Sequence, residues 1–383
     1  MINVLKPKYR TEEILEEIKE CLDTGWTGLG GKTLEFEEAW KNYTKLPNAH
    51  FLNSATSGLH LALNIFKKQY NWKDKDEIIT TPLTFVSTNH AILYENLTPI
   101  FADVDEYLCL DPKDIESKIT KKTRAVMFVG LGGNSGKLDE ISKLCKKYNL
   151  KLILDAAHMA GTYTKDRNEY GYIIKHVGWE ADVAIFSFQA VKNLPTSDSG
   201  MICFKEKKHD TLARQLSWLG IDKDTYTRFN KGSYKWKYDV PNVGFKYHGN
   251  ALTAAIGIVQ LRYLNEDNIR RNKIAEIYNN ELSDLDWVKL IKTSLHTEVN
   301  SKHLYQLLVK ENRDELIEYL YKNKIYPGVH YIDNRQYPPY NQKYKDICPN
   351  STKSSNQLVT LPIHCLLSDR EVYDIINKIK SWK

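Results

Sequence analysis

The chain has 383 residues, 42% of them hydrophobic, and 54 basic against 48 acidic side chains leave a net charge of +6. That length allows two domains and a large core. The basic residues are scattered rather than blocked, which argues against a nucleic-acid polymer as partner and is compatible with a phosphorylated small molecule.

The stretch from Met1 to Glu20 is charged and lacks the apolar core of a signal peptide, and no apolar run approaches the length that spans a bilayer. The six cysteines, Cys21, Cys109, Cys145, Cys203, Cys348 and Cys365, form no C-x-x-C pair. This pattern predicts no metal knuckle and no redox motif. It fits free thiols in a reducing, cytoplasmic setting, with no membrane attachment.

The apolar spacing of Ile14, Leu15 and Ile18 predicts a helix over residues 11–22. A glycine-rich loop, Thr24-Gly-Trp-Thr-Gly-Leu-Gly-Gly31, separates it from a second helix near Thr33–Tyr43. Short apolar strands then alternate with helical patterns to about residue 205. The strands expected are His50–Asn53, Glu77–Thr80, Thr98–Asp103, Ala125–Val129, Lys151–Asp155, Val183–Phe188 and Met201–Phe204. Such alternation predicts an α/β fold with a mostly parallel central sheet covered by helices. Tyr226–Pro241 reads as a long irregular segment. Leu252–Leu264 restores a helix that continues, after a short break, to about Asp284. Residues from about 285 read as a smaller α+β unit, with strands at Trp287–Ile291 and His303–Val309 and helices at Arg313–Lys324 and Ser368–Trp382. The domain boundary is expected near residue 265, giving a large unit over 1–265 and a small C-terminal one over 266–383.

Two of the strands end on chemistry. Lys151-Leu-Ile-Leu-Asp155 delivers an acid, and the later strand runs through Phe186-Ser187-Phe188 to Lys192. A lone strand-end Asp is usually a helix cap and a lone Lys a surface residue. Together they suit a pyridoxal phosphate site, where a lysine amine forms a Schiff base and an acid keeps the pyridine nitrogen protonated. Burial would lower the lysine's pKa and leave more of it nucleophilic. Ser187 and the segment Asn53-Ser-Ala-Thr56-Ser57-Gly58, which opens a helix at Leu59–Phe66, are the phosphate candidates, because helix-start N–H groups flanked by hydroxyls bind phosphate. Phe85 is a candidate to stack on the flat ring, and His158 to hydrogen-bond its hydroxyl oxygen.

These segments resemble the DegT-type family of pyridoxal phosphate-dependent sugar aminotransferases, within the fold type I aspartate aminotransferase superfamily. The likeness is carried by Gly25-Trp-Thr-Gly28, Asn53-Ser-Ala-Thr-Ser57, Thr81-Pro-Leu-Thr-Phe85, Phe101-Ala-Asp-Val-Asp105, Asp155-Ala-Ala-His158, Phe186-Ser-Phe-Gln-Ala-Val-Lys192-Asn193, Gly244-Phe-Lys-Tyr-His-Gly-Asn250 and Leu361-Pro-Ile-His364. It implies that Lys192 binds the cofactor and shuttles protons, that Asp155 holds the ring nitrogen, that Phe85 stacks, and that His158 faces the ring hydroxyl. Thr56, Ser57 and Ser187 would hold the phosphate, joined by Asn250 from a second subunit of a homodimer. Trp26, Thr27 and Gly28 would line a sugar pocket.

Three departures from the family pattern stand out. Ser197-Asp-Ser-Gly200 replaces a Gly-Glu-Gly-Gly turn, Gly130 replaces a histidine, and His330-Tyr-Ile-Asp-Asn-Arg335 keeps only the start of a His-Tyr-x-Pro-Leu-His loop. His330 and Arg335 are accordingly candidates for contact with an altered substrate. The implied reaction carries an amino group, from glutamate by family analogy, through pyridoxamine phosphate to a keto group of a nucleotide-linked sugar, in surface glycan or related amino-sugar synthesis. A cyclitol or small keto-alcohol is the alternative acceptor. A sugar dehydratase, which would replace Lys192, and a silent regulatory member of the fold are weaker readings.

Overall fold

The structure, a computed structural model, describes residues 1–168, 171–222, 238–341, 343–344 and 347–382. Most of the expected irregular segment Tyr226–Pro241 lies outside the described residues.

A seven-stranded sheet forms the centre. In spatial order its strands are His50–Leu52, Gly200–Phe204, Val183–Ser187, Lys151–Asp155, Thr123–Val129, Glu77–Thr80 and Thr98–Phe101. Gly200–Phe204 runs antiparallel to both neighbours; the others are parallel to one another. All seven strands expected from sequence are present, each within about two residues of its expected ends. Strands buried on both faces need apolar residues at every position, and the central ones have them. Successive side chains serve opposite faces. Val126, Phe128, Leu154 and Phe186 join one core with Phe36 and Trp40 of the Gly31–Thr44 helix. Ala125, Met127, Ile153 and Ile185 join a second core under the Ala55–Gln69 helix.

A third core gathers Ile274, Tyr278, Leu307, Leu316, Val359 and Ile376, with Ile2 and Leu5 of the N-terminus packed against it. Its sheet is Val288–Leu290, Tyr305–Val309 and Leu358–Leu361. The helices expected near 252–264 and onward are Ala251–Arg262 and Leu264–Leu282. The sequence reading missed the hairpin Tyr163–Asn168/Gly171–His176, its partner strand Thr297–Val299, and the parallel pair Ile2–Asn3/Ile325–Tyr326. These strands are short, polar or exposed, so they carry no apolar period to read.

Helix and sheet meet closely where glycine removes a side chain. A Cβ at Gly200 would lie 2.6 Å from Ala55 N and 2.8 Å from Phe186 O. Both are backbone atoms that cannot rotate away. Gly200→Ala is expected to destabilise the protein by about 1–3 kcal/mol, and a urea unfolding midpoint unchanged from the native chain would contradict this close approach.

Candidate active site

Three neighbouring parallel strands end on the same rim of the sheet. Asp155 pairs in register with Val129 on one side and Ile185 on the other, and Ser187 ends the next strand two residues on. Below this rim the Ala55–Gln69 helix begins, capped by Ser54, whose Oγ accepts from Ser57 N at 3.1 Å. Open parallel sheets bind ligands at the carboxyl ends of their strands. A cavity of about 500 Å³ sits there, lined among others by Thr56, Phe85, Asp155, His158, Ser187, Lys192 and His330.

Lys192 is placed by the turn that follows its strand. Its N–H donates to Gln189 O, Gln189 Oε1 accepts from Val191 N, and Thr196 N–H returns to Phe188 O. The next residue is an anchor. Buried Asn193 donates through Nδ2 to Asn268 Oδ1 and Ser301 O, both at 2.7 Å, tying the turn to the Leu264–Leu282 helix. The Lys192 amine makes no hydrogen bond among the described residues. Burial pulls its pKa down to about 8, opposed by attraction from Asp155. Part of the amine is therefore neutral at pH 7.

Asp155 is fixed from below. Its Oδ2 accepts from Thr88 Oγ1 at 2.8 Å and its Oδ1 from Ala157 N at 3.2 Å. Burial raises its pKa above the ordinary value; the Thr88 and Ala157 hydrogen bonds and Lys192 oppose the rise. The carboxylate and the amine thus face one desolvated space, and neither spends its charge on the other through a direct hydrogen bond. A flat, protonatable heterocycle carrying an aldehyde would satisfy both.

The remaining wall fits the rest of such a group. Phe85 leaves 55% of its surface exposed at the cavity, unusual for a large apolar ring beside a core. The first-turn N–H groups of Ala55 and Thr56 have no carbonyl within their helix, and the Thr56 hydroxyl is without a hydrogen bond among the described residues. With Ser187 they form a phosphate-sized set of donors.

Other sequence candidates lie elsewhere. Ser57 does not line the cavity; its Oγ donates to Asn53 Oδ1 at 2.6 Å and contacts Ser54 Oγ. Asn250 caps the Ala251–Arg262 helix through Thr253 N. Ala251 N–H reaches Gly28 O at 2.7 Å and Thr27 O at 3.2 Å, so Thr27, Gly28 and Asn250 cluster together, and Trp26 lines a different recess beside Cys21 and Lys32. Arg335 is engaged by Asp333, Thr352 and Cys348 O and does not line the cavity. His330 does line it, and burial lowers its pKa to about 4. At Gly130 a Cβ would strike Met159 Sδ at 2.0 Å; Met159 fills the space that a histidine there would need.

Sequence reasoning missed Thr88, Asn193, Gln189 and Tyr331. Gln189, Asn193 and Tyr331 stood inside quoted motifs without a role, and nothing local marks Thr88. Asp198 and Ser199, from the altered turn, also line the cavity. Among the described residues one group, Asp166, Glu180 and His296, brings possible metal-ligand atoms within 4.8 Å. Lys175 already supplies the cation there, 3.2 Å from Glu180.

The DegT/DnrJ/EryC1/StrS aminotransferase family matches residues 8–380. The chain is 35% identical over 379 residues to the uncharacterized protein MJ1066 of Methanocaldococcus jannaschii, covering 96% of this chain and 94% of that one. It is 33% identical, with the same coverage, to the spore coat polysaccharide biosynthesis protein SpsC of Bacillus subtilis. Among solved structures it superposes with a TM-score of 0.89 on PseC of Helicobacter pylori, an aminotransferase involved in the biosynthesis of pseudoaminic acid, at 25% identity over 99% of this chain and 98% of that one.

In cofactor-free protein the Lys192 amine should react with an amine-selective acylating reagent with a midpoint near pH 8, read by peptide mass spectrometry. Asp155→Asn removes the opposing attraction and should shift the midpoint lower. An ordinary lysine midpoint, or an upward shift in the variant, would contradict the desolvated pair.

Proposed function

We propose, for a chain that belongs to the DegT/DnrJ/EryC1/StrS aminotransferase family, that it moves an amino group from glutamate to a keto group of a nucleotide-linked sugar. Membership makes it a pyridoxal phosphate-dependent aminotransferase of the α/β, fold type I class, in a family acting on amino sugars. The observation that carries the amino-transfer chemistry is the desolvated Lys192 amine facing Asp155 across a cavity that has a helix start at one end.

When bound, the cofactor supplies an electron sink for the carbon that loses or gains a proton. The roles of the chain's own groups follow from their chemistry. Asp155, held by Thr88 and Ala157 N–H, keeps the pyridine nitrogen protonated. The N–H groups of Ala55 and Thr56, with the hydroxyls of Thr56 and Ser187, take the phosphate. Ser57 supports that site from behind, through Ser54 and Asn53. Phe85 covers the ring. Lys192 holds the cofactor between turnovers and, once freed, carries the proton as general base and acid. The buried Asn193 anchor keeps its backbone still while the side chain moves.

The acceptor's class rests on likeness and charge. SpsC serves polysaccharide synthesis and PseC amino-sugar synthesis, and the net charge of +6 suits a diphosphate-bearing substrate. A cytoplasmic setting, where nucleotide sugars are made and used, agrees with six cysteines that are all free. Among the described residues no helix is long and apolar enough to cross a membrane. The division near residue 265 belongs to the same reading, with one addition: the N-terminal strand Ile2–Asn3 joins the smaller unit.

A homodimer completes the site. Trp26, Thr27, Gly28 and Asn250 are expected at substrate or phosphate, yet they lie outside the cavity of their own chain. Thr27, Gly28 and Asn250 share one loop–helix junction. A second copy presenting that junction would bring them to the cavity as a set. Light scattering should give twice the 44.4 kDa of one chain, and a monomer that is fully active would contradict this assembly.

Purified protein should absorb in the visible, at roughly 400–430 nm, and lose that band on adding glutamate. It should then form 2-oxoglutarate with one or more members of a panel of nucleotide keto-sugars. Lys192→Ala should lower the rate by at least about 10³-fold. Turnover of free cyclitols or keto-alcohols in preference to every nucleotide sugar would replace the acceptor assigned here. A chain that binds the cofactor but never exchanges its amino group would mark a silent member.

A further inference from the structure

Tyr331 lies on the cavity wall, one residue beyond His330, with its ring 5.8 Å from that of Phe85. Its hydroxyl is 3.2 Å from His158 Nε2. Which atom donates can be deduced. The backbone N–H of Gly132 points at His158 Nδ1 at 3.2 Å. An N–H can only donate, so Nδ1 is bare. Burial first, then Lys192 and His330, hold the His158 pKa well below its ordinary value, so the ring is neutral and its single proton is on Nε2. Nε2–H therefore donates to Tyr331 Oη.

The arrangement is locked from behind. His303 packs against His158 with ring centres 4.4 Å apart. Asn193 uses Nδ2 on two carbonyl oxygens, so its Oδ1 is the acceptor facing His303 Nδ1 at 2.8 Å, and His303 carries its proton there. Neither histidine can turn over without breaking a buried hydrogen bond.

One proton is left over. Burial, helped by Asp155, raises the Tyr331 pKa, so the phenol keeps its proton at neutral pH. That proton is not spent on His158, and among the described residues no other acceptor lies within hydrogen-bond reach of Oη. The donor stands on the wall of the cavity that also holds Phe85, Asp155 and Lys192. An anionic oxygen on a ring stacked against Phe85 is the acceptor it suits.

We propose that Tyr331 is a cofactor-binding residue whose phenol donates a hydrogen bond to the ring hydroxyl oxygen of pyridoxal phosphate, with His158 polarising that phenol from behind through its Nε2–H. The inference rests on the cofactor reading given above and deepens it. The sequence had assigned the ring oxygen to His158 alone. Here both histidine nitrogens already have partners, and Tyr331 is the group with a proton to give. A donor on that oxygen stabilises its negative charge and lowers the pH at which the bound chromophore loses its proton.

The test is a spectral pH titration of the cofactor-loaded protein. Its readout is the midpoint of the visible-band change rather than turnover. The other titratable groups on the cavity are Asp155, His158, Lys192, Asp198 and His330; Tyr331→Phe leaves all of them in place. That variant should raise the midpoint by at least about one pH unit. Incorporating 3-fluorotyrosine at 331, a more acidic phenol and a stronger donor, should lower it. A midpoint unmoved by either change overturns the proposal, even where the Phe variant binds the cofactor weakly and only the fluorinated chain can be titrated. Failure of the cofactor reading itself would look different: the unaltered protein would show no visible band to titrate.

Discussion

An amine and a carboxyl group face one cavity without a hydrogen bond between them. Desolvation pushes each toward its neutral form, and mutual attraction only partly opposes it. Direct pairing would quench both charges and leave nothing for a ligand to satisfy. The fold prevents this by seating Asp155 on a strand end, pinned by Thr88 and Ala157 N–H, and Lys192 on a turn pinned through Asn193. The separation is enforced by backbone hydrogen bonds and buried amides, not by the pair itself.

That constraint explains the order of supporting layers. The sheet supplies the rim, because parallel strands covered on both faces must end together on one edge. The Ala55–Gln69 helix can begin under that rim only because Gly200 lets the backbones of Ser54 and Ala55 approach. The Leu264–Leu282 helix and the 300–303 segment then reach back from the third core to hold Asn193, through Asn268, Ser301 and His303. A change in that distant helix would act on the lysine through Asn268 and Asn193 without contacting any ligand.

Two of the three departures from the family pattern differ in kind. Gly130 is settled by packing, since Met159 occupies the place of the missing side chain. The altered loop after His330 differs at its far end. Arg335 turns away to Asp333, Thr352 and Cys348 O, while His330 and Tyr331 stay on the cavity wall. The loop thus keeps its first half on the cavity wall and turns its charged end away from it.

The apolar runs determined the seven central strands and the long C-terminal helices, because residues buried on both faces, or along one helical stripe, leave a period that needs no partner to be read. The same runs delivered Asp155 and Ser187 at strand ends and Lys192 in the turn after the second, and the helix start delivered Thr56. Short edge strands such as Tyr163–Asn168 and Thr297–Val299 left no such trace. Only the tertiary structure decided that the Ser57 hydroxyl is consumed by Asn53 and Ser54, that Asn250 and Thr27 sit together away from their own chain's cavity, and that Tyr331 holds the free proton beside His158. Each of these depends on which atoms far apart in the chain meet in space, and hydrogen-bond direction is fixed by those meetings rather than by residue type.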